Sequence, residues 1–232
     1  VRGGVAYNDA LKALHSILSV SRSFTTSPYT ATRQFVGDYI IISATEQETK
    51  SDSWQATLIA SKGVNLWNGA VNLRAFYINS HSTMLQNDQP TEYDSQMLNA
   101  RTGIDFSFWK DMHLRYGITY SQSRMKMERT ATTSDIINWK HDLSLIIPVR
   151  RLTFDLTAEY YRNDLTDGHH KDFFLADIKT SYKSRHIDLT LSLCNLLNSG
   201  TYSYVIASDL IRRASTNRIR GREVLLTSYY KI

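Results

Sequence analysis

Residues 151–160 read RLTFDLTAEY, and their alternation decides the fold: Leu152, Phe154, Leu156, Ala158 and Tyr160 fall on one side, with Arg151, Thr153, Asp155, Thr157 and Glu159 on the other. A period of two belongs to an extended strand with unlike faces, because successive side chains point to opposite sides. The pattern returns where Ile187, Leu189, Leu191 and Leu193 alternate with Asp188, Thr190 and Ser192, and again near the end, where Val224, Leu226, Tyr230 and Ile232 share a side. Such segments look like membrane β-strands.

Working outward, 232 residues with 42% apolar and 11% aromatic content suffice for a folded all-β domain. No apolar run approaches the ~18 residues a transmembrane helix requires, but a barrel crosses with tilted strands of about 9–11 residues. A mean hydropathy of -0.34 is therefore no argument against a membrane. The 27 Lys and Arg residues that produce a net charge of +5 are scattered along polar faces and turns. Nucleic acid is not an expected partner, because that footprint is a clustered basic patch. Cys194 is the single cysteine, which excludes an internal disulfide and a cysteine metal cluster. Val1 opens the chain without a leader, so a signal peptide is expected to have been removed or to lie outside this piece.

Strands are predicted at 11–26, 34–46, 54–64, 67–85, 95–108, 112–127, 135–148, 151–162, 173–183, 186–198 and 217–232, ten or eleven in all, with a break at Pro28. A helix competes over 8–18, where Leu11, Leu14 and Leu18 have helical spacing. The connections alternate. Short turns fall at 65–68, 109–111, 148–151 and 183–185, and longer polar loops at 47–53, 86–94, 129–134, 163–172 and 199–216. Short turns on one rim and long loops on the other describe an outer-membrane barrel, with the final strand ending on the periplasmic side. The fold class is all-β, an antiparallel up-and-down transmembrane β-barrel.

Aromatic residues are expected to form interfacial belts: Trp67 and Trp109 beside short turns, and Tyr160, Tyr161, Tyr202, Tyr204, Tyr229 and Tyr230 near strand ends. A soluble β-sandwich would also alternate, with its apolar face inside. Mixed Asp, Glu, Arg and Lys on the polar faces suit a hydrated lumen better.

At the carboxyl end, Asn195, Leu196, Leu197 and Asn198, then Tyr202, Ser203 and Tyr204, then Arg222 and Glu223, resemble the terminus of TonB-dependent outer-membrane receptors of the SusC-like and related kind. Leu197 and the terminal Ile232 stand where that family usually has Phe. Motif detail covers the stretch from Ile187 to the end, and the strand and loop alternation covers nearly the whole chain. Such receptors have about 22 strands around a plug. The resemblance implies that these residues are the carboxyl-terminal half of a longer receptor, with a free-standing small barrel as the alternative. It further implies an assembly signal in Tyr230 and Ile232, read by the barrel-assembly machinery. The implied surroundings are a lipid bilayer with lipopolysaccharide, the TonB complex reached through an upstream plug, and a surface lipoprotein that could cap the barrel.

Arg74, Asp105, Arg115, Asp155, Glu159, Asp177, Lys179 and Asp188 sit on polar faces and are the lumen-facing candidates. His169 and His170, beside Asp167 and Asp172, lack a usual metal-ligand spacing, so neither metal nor cofactor is expected. No Gly-x-Ser-x-Gly elbow is present and no catalytic residue is assigned. The function expected is TonB-dependent uptake of a nutrient across the outer membrane. The alternative is a non-transporting barrel that serves as an adhesin or scaffold.

Overall fold

A computed structural model of the chain describes residues 1–36, 39–86, 89–109, 111–127, 133–165, 169–208 and 211–231. The strands are β1 (Arg2–Asp9), β2 (Leu14–Val36), β3 (Tyr39–Val64), β4 (Gly69–Gln86), β5 (Gln89–Phe108), β6 (Met112–Met127), β7 (Thr133–Val149), β8 (Leu152–Asp164), β9 (His170–Lys183), β10 (Ile187–Cys194), β11 (Thr201–Ser208), β12 (Ile211–Arg218) and β13 (Glu223–Tyr230). Eleven of them form one sheet in the order β1 to β10 followed by β13, while β11 and β12 pair only with each other. Each consecutive pair in that order is antiparallel, as an up-and-down wall requires, and β2 and β4 add a short parallel pairing at Thr32↔Leu85 and Arg33↔Gln86.

Eleven strands match the expected number, but the borders differ at the start. Residues 1–10, weakly patterned in sequence, form β1, which pairs with β2 from Asp9↔Leu14 to Arg2↔Ser21. The helix considered over 8–18 does not form: Leu14 and Leu18 lie on β2, and Leu11 stands exposed in the 10–13 turn. Pro28 does not break β2. Gln47 and Glu48 of β3 lie opposite Pro28 between the pairs Ser27↔Thr49 and Tyr29↔Glu46. This bulge accommodates a residue that has no N–H for the ladder. The loop expected at 47–53 is accordingly strand, as is most of 86–94, where β4 and β5 stay paired up to Gln86↔Gln89. These strands continue beyond the apolar band, so their upper parts have the polar composition of a loop. Within and just beyond the loop expected at 199–216, Thr201–Ser208 and Ile211–Arg218 pair as the β11–β12 hairpin, and the last predicted strand splits at 219–222.

Five short turns fall on one rim, and each of four carries a non-glycine residue in the left-handed region: Ala13 (φ 46°), Asn68 (φ 46°), Asp111 (φ 67°) and Arg150 (φ 54°). Asn and Asp tolerate that conformation better than other L-residues. At the fifth, Ser184 Oγ donates to the Ile187 carbonyl (2.8 Å) and accepts from the Ile187 N–H (3.1 Å). The expected contrast with longer loops does not hold throughout the other rim, where pairing continues to Val36↔Tyr39 and Gln86↔Gln89.

Register divides the sheet into two unlike faces. Arg74, Arg101, Thr119, Lys140 and Tyr161 face one another strand by strand across β4 to β8. The other face carries Leu98, Ala100, Thr102, Ile104 and Phe106 on β5 and Leu152, Phe154, Leu156, Ala158 and Tyr160 on β8. From Leu98 to Phe106 is roughly 27 Å of strand at ~3.4 Å per residue, comparable with the apolar band of about 25 Å on membrane barrels. Large side chains stand exposed on this apolar face, including Leu18 (46%), Val224 (69%) and Leu226 (73%).

One edge of the apolar band is marked by Trp54, Tyr77, Tyr120, Trp139, Tyr160 and Phe174, with the Tyr120 and Trp139 rings 4.7 Å apart. Beyond them, away from the 10–13, 65–68 and 109–111 turns, the same face turns charged. Arg22 meets Asp52 at 2.6 Å, His81 meets Asp94 at 2.8 Å and Arg124 meets Asp135 at 2.7 Å. Arg22 also lies over the Trp54 ring at 5.0 Å. Of the aromatics expected in belts, Tyr160 belongs to this row and Tyr230 stands exposed on the apolar face near the short-turn rim. Tyr161 and Tyr229 point to the polar face, and Tyr202 and Tyr204 lie in the hairpin. The Trp67 side chain and Ile232 lie outside the described residues.

Candidate functional site on the inner face

The polar face holds the cavities and carries the β11–β12 hairpin, which makes it the inner side of the wall. β11 packs on β7, β8 and β9. Tyr202 stacks edge-on against Tyr161 (5.3 Å) and Phe173 (5.2 Å), and buried Asn163 donates to the Ser203 carbonyl at 2.9 Å. Lys171 adds contacts to Thr201 Oγ1 (3.2 Å) and Ser203 Oγ (3.4 Å).

The hairpin is rooted by the Asn-Leu-Leu-Asn element. Asn195, 4% exposed and left-handed (φ 52°), donates from Nδ2 to the carbonyls of Ser199 (2.9 Å) and Arg220 (2.8 Å) and accepts the Ser199 N–H on Oδ1 (2.8 Å). Its own N–H donates to Asp177 at 2.6 Å. Asn198 Oδ1 accepts the Arg222 N–H at 3.3 Å, and Arg222 Nε donates to the Leu196 carbonyl at 2.9 Å. One carboxamide thus ties both legs of the hairpin to the end of β10.

Three of the eight predicted polar residues, Arg74, Asp105 and Arg115, converge on a basin of about 390 Å³ between β3 and β7. Arg115 Nε donates to Asp105 at 3.0 Å, and His113 Nε2 lies 3.0 Å from the other Asp105 oxygen. Two partners not singled out in the sequence complete the basin: Arg101 Nη2 reaches both oxygens of Asp142 at 3.2 Å. Gly103 and Gly117 face each other across β5 and β6 and form the floor. A Cβ on Gly117 would stand 2.7 Å from Asp142 Oδ2, so the missing side chain is what lets that carboxylate lie down beside Arg101.

A second cavity of about 430 Å³ shares Arg101, Arg115 and Asp142 and continues to Glu159 and Asp177. Glu159 accepts from Lys140 Nζ and Tyr161 OH, each at 2.8 Å. A third, about 340 Å³, lies under the hairpin between Thr119, Lys140, Tyr161, Tyr202 and Tyr204.

The remaining predicted residues share the face but not the basin. Asp155 and Lys179 are register partners, yet Asp155 Oδ1 is buried without a hydrogen bond. Asp188 pairs with Lys231 at 2.8 Å near the short-turn rim. His170 Nε2 lies 3.1 Å from the Arg162 guanidinium, and Asp172 accepts the Tyr160 hydroxyl at 2.9 Å; Asp167 is outside the described residues. Alternation would have found Arg101 and Asp142 too, since Arg101, Asp105 and Ser107 share parity, as do Lys140, Asp142 and Ser144.

These faces, turns and pairings define the class of fold: the wall of an antiparallel up-and-down β-barrel of the outer-membrane kind. Neither a protein-family model nor a curated protein matches the sequence. Among solved structures, the chain is similar to the FrpB iron transporter from Neisseria meningitidis (F3-3 variant), with a TM-score of 0.56 at 10% identity, over 88% of this chain and 36% of that chain. The chain thus spans little more than a third of the length of the structure it matches.

Proposed function

We propose that these strands form the carboxyl-terminal wall of a TonB-dependent outer-membrane receptor that takes up a scarce nutrient. The observation that carries the proposal is the eleven-strand meander with an exposed apolar face, a charged inner face and two edge strands, β1 and β13, each paired on one side only among the described residues. An open row of backbone donors and acceptors is untenable in lipid, so such edges must be closed, in this reading by further strands of the same barrel. The Asn-Leu-Leu-Asn and Tyr-Ser-Tyr elements support the TonB-dependent class, and the SusC-like kind rests on them alone. The outer face would meet lipid and lipopolysaccharide, and the barrel-assembly machinery would read Tyr230 and Ile232. A plug elsewhere in the protein would face the inner side and connect it to TonB, and a surface lipoprotein could cap the long-loop rim. No residue here carries out covalent chemistry in this scheme; the inner face holds and passes a ligand.

The test is the electrophoretic mobility of the protein from an outer-membrane fraction, heated and unheated, in detergent. A heat-modifiable band much heavier than the 26.6 kDa of these residues supports a receptor wall. A heat-modifiable band near 26.6 kDa shows a small complete barrel and removes the receptor reading. A protein without heat shift in the soluble fraction removes the membrane reading as well.

A further inference from the structure

We infer that the basin around Arg74 and Arg101 is a carboxylate-binding site. Arg74 and Arg101 are direct cross-strand partners on β4 and β5, so two guanidinium groups face each other. Like charges directly opposed in a sheet destabilise it. Elsewhere the strands neutralise such groups: Arg22, Arg101, Arg115 and Arg124 each hold an aspartate. Arg74 holds none among the described residues, and its other register partner is the aliphatic Ile59.

The five charged side chains that line the cavity are Arg74, Arg101, Arg115, Asp105 and Asp142, three positive against two negative. Asp105 is paired with Arg115 and lies beside His113, and Asp142 is paired with Arg101, so both carboxylates of the basin are engaged by residues other than Arg74. The basin therefore lacks one negative charge, and its glycine floor and about 390 Å³ leave room for the group that brings it. Guanidinium forks match planar carboxylates, often through two parallel hydrogen bonds. Arg22 already shows this on Asp52, where Nε and Nη2 donate to one oxygen each at 2.9 and 2.6 Å.

The carboxylate has two sources: a solute in the lumen, or an acidic side chain of the protein from outside these strands. The inference stands on inner-face geometry and does not depend on the uptake proposal. It is tested on the purified full-length protein by the temperature at which the folded band converts to the unfolded one, in millimolar sodium citrate or in sodium chloride of equal ionic strength. The proteins are the unmodified form, Arg74→Gln, Arg74→Lys and a control, Arg185→Gln, at a short turn.

For a solute site, citrate raises the midpoint of the unmodified protein and the control. Arg74→Gln weakens citrate binding about tenfold or more, and Arg74→Lys, which keeps the charge but not the fork, falls between. For an internal acid, citrate has no effect while Arg74→Gln alone lowers the midpoint in chloride and Arg74→Lys restores part of it. The inference is overturned if citrate shifts all four proteins equally. It is equally overturned if citrate shifts none and Arg74→Gln leaves the midpoint unchanged or raises it, as relief of an unopposed repulsion would.

Discussion

Asn195 makes three side-chain hydrogen bonds to backbone groups at the two ends of the hairpin. Its carboxamide satisfies two carbonyls and one N–H at a position 4% exposed, so its loss leaves buried backbone groups without partners. At about 1 kcal/mol or more per unsatisfied group, Asn195→Ala should cost about 2–4 kcal/mol, with proteolysis of the 199–218 segment as the first visible sign. A protease pattern identical to the unmodified protein would refute that role.

Asp135 allows a test of the opposite kind. Burial raises its carboxyl pKa, but hydrogen bonds from Gln122 and Arg124 outweigh burial and hold it below the ordinary 3.8. A depressed carboxylate stabilises the fold at every pH above its unfolded value and stops doing so as pH falls through the lower folded value. The midpoint difference between unmodified protein and Asp135→Asn should stay constant from neutral pH to about 4 and shrink only below it. A loss of the difference already near pH 6 would rule out the pairing.

At this scale the eight polar candidates were legible, because parity alone assigns a side chain to a face. What parity does not give is stagger between strands, so the convergence of Arg74, Asp105 and Arg115 with Arg101 and Asp142 became visible only with the register. Tyr160 and Tyr161 make the same point. Adjacent in sequence and both expected in a belt, they stand on opposite faces, one beside Phe174 and one beneath Tyr202.

Among elements, the tight turns are the least comfortable parts of the backbone. Asn68 and Asp111 suit the left-handed region, whereas Arg150 (φ 54°) and Ala13 (φ 46°) pay a steric cost there. Arg150→Gly should therefore raise stability by about 1 kcal/mol, read as a higher unfolding midpoint; a drop would show that the Arg150 side chain makes a contribution larger than the strain. Strand type and number were readable from alternation over β4 to β10. The β2–β3 region was misjudged because the charged and polar upper parts of long strands look like loops, and because a bulge opposite Pro28 lets the ladder absorb a residue that normally ends it.

For the whole molecule, the decisive property is that most of the large exposed apolar side chains of the described strands lie on the face away from the hairpin and the cavities. Leu143, 40% exposed on that face, tests what medium it meets. In a bilayer, Leu143→Arg should cost about 2–4 kcal/mol near mid-depth, whereas the same change on a water-washed sheet would be near neutral. Folding measured in lipid vesicles separates the two, and an unchanged midpoint would argue against a lipid-facing wall.

The path of the chain between β10 and β13 has a kinetic corollary. Apart from the two-residue contact between β2 and β4, every other pair of neighbours in the large sheet is joined directly, with no strand between, so each can zip from its own connection. β13 reaches β10 only after the chain has travelled through β11 and β12, and Ile187 must find Tyr230 across that excursion. Closing a longer loop is entropically dearer and delays contact formation. Docking of the final strand should thus be the last step in building this wall, after the hairpin is already tucked inside. Pulsed hydrogen exchange would show it as late protection of the β13 amides, and protection of β13 before β11 would reverse the order.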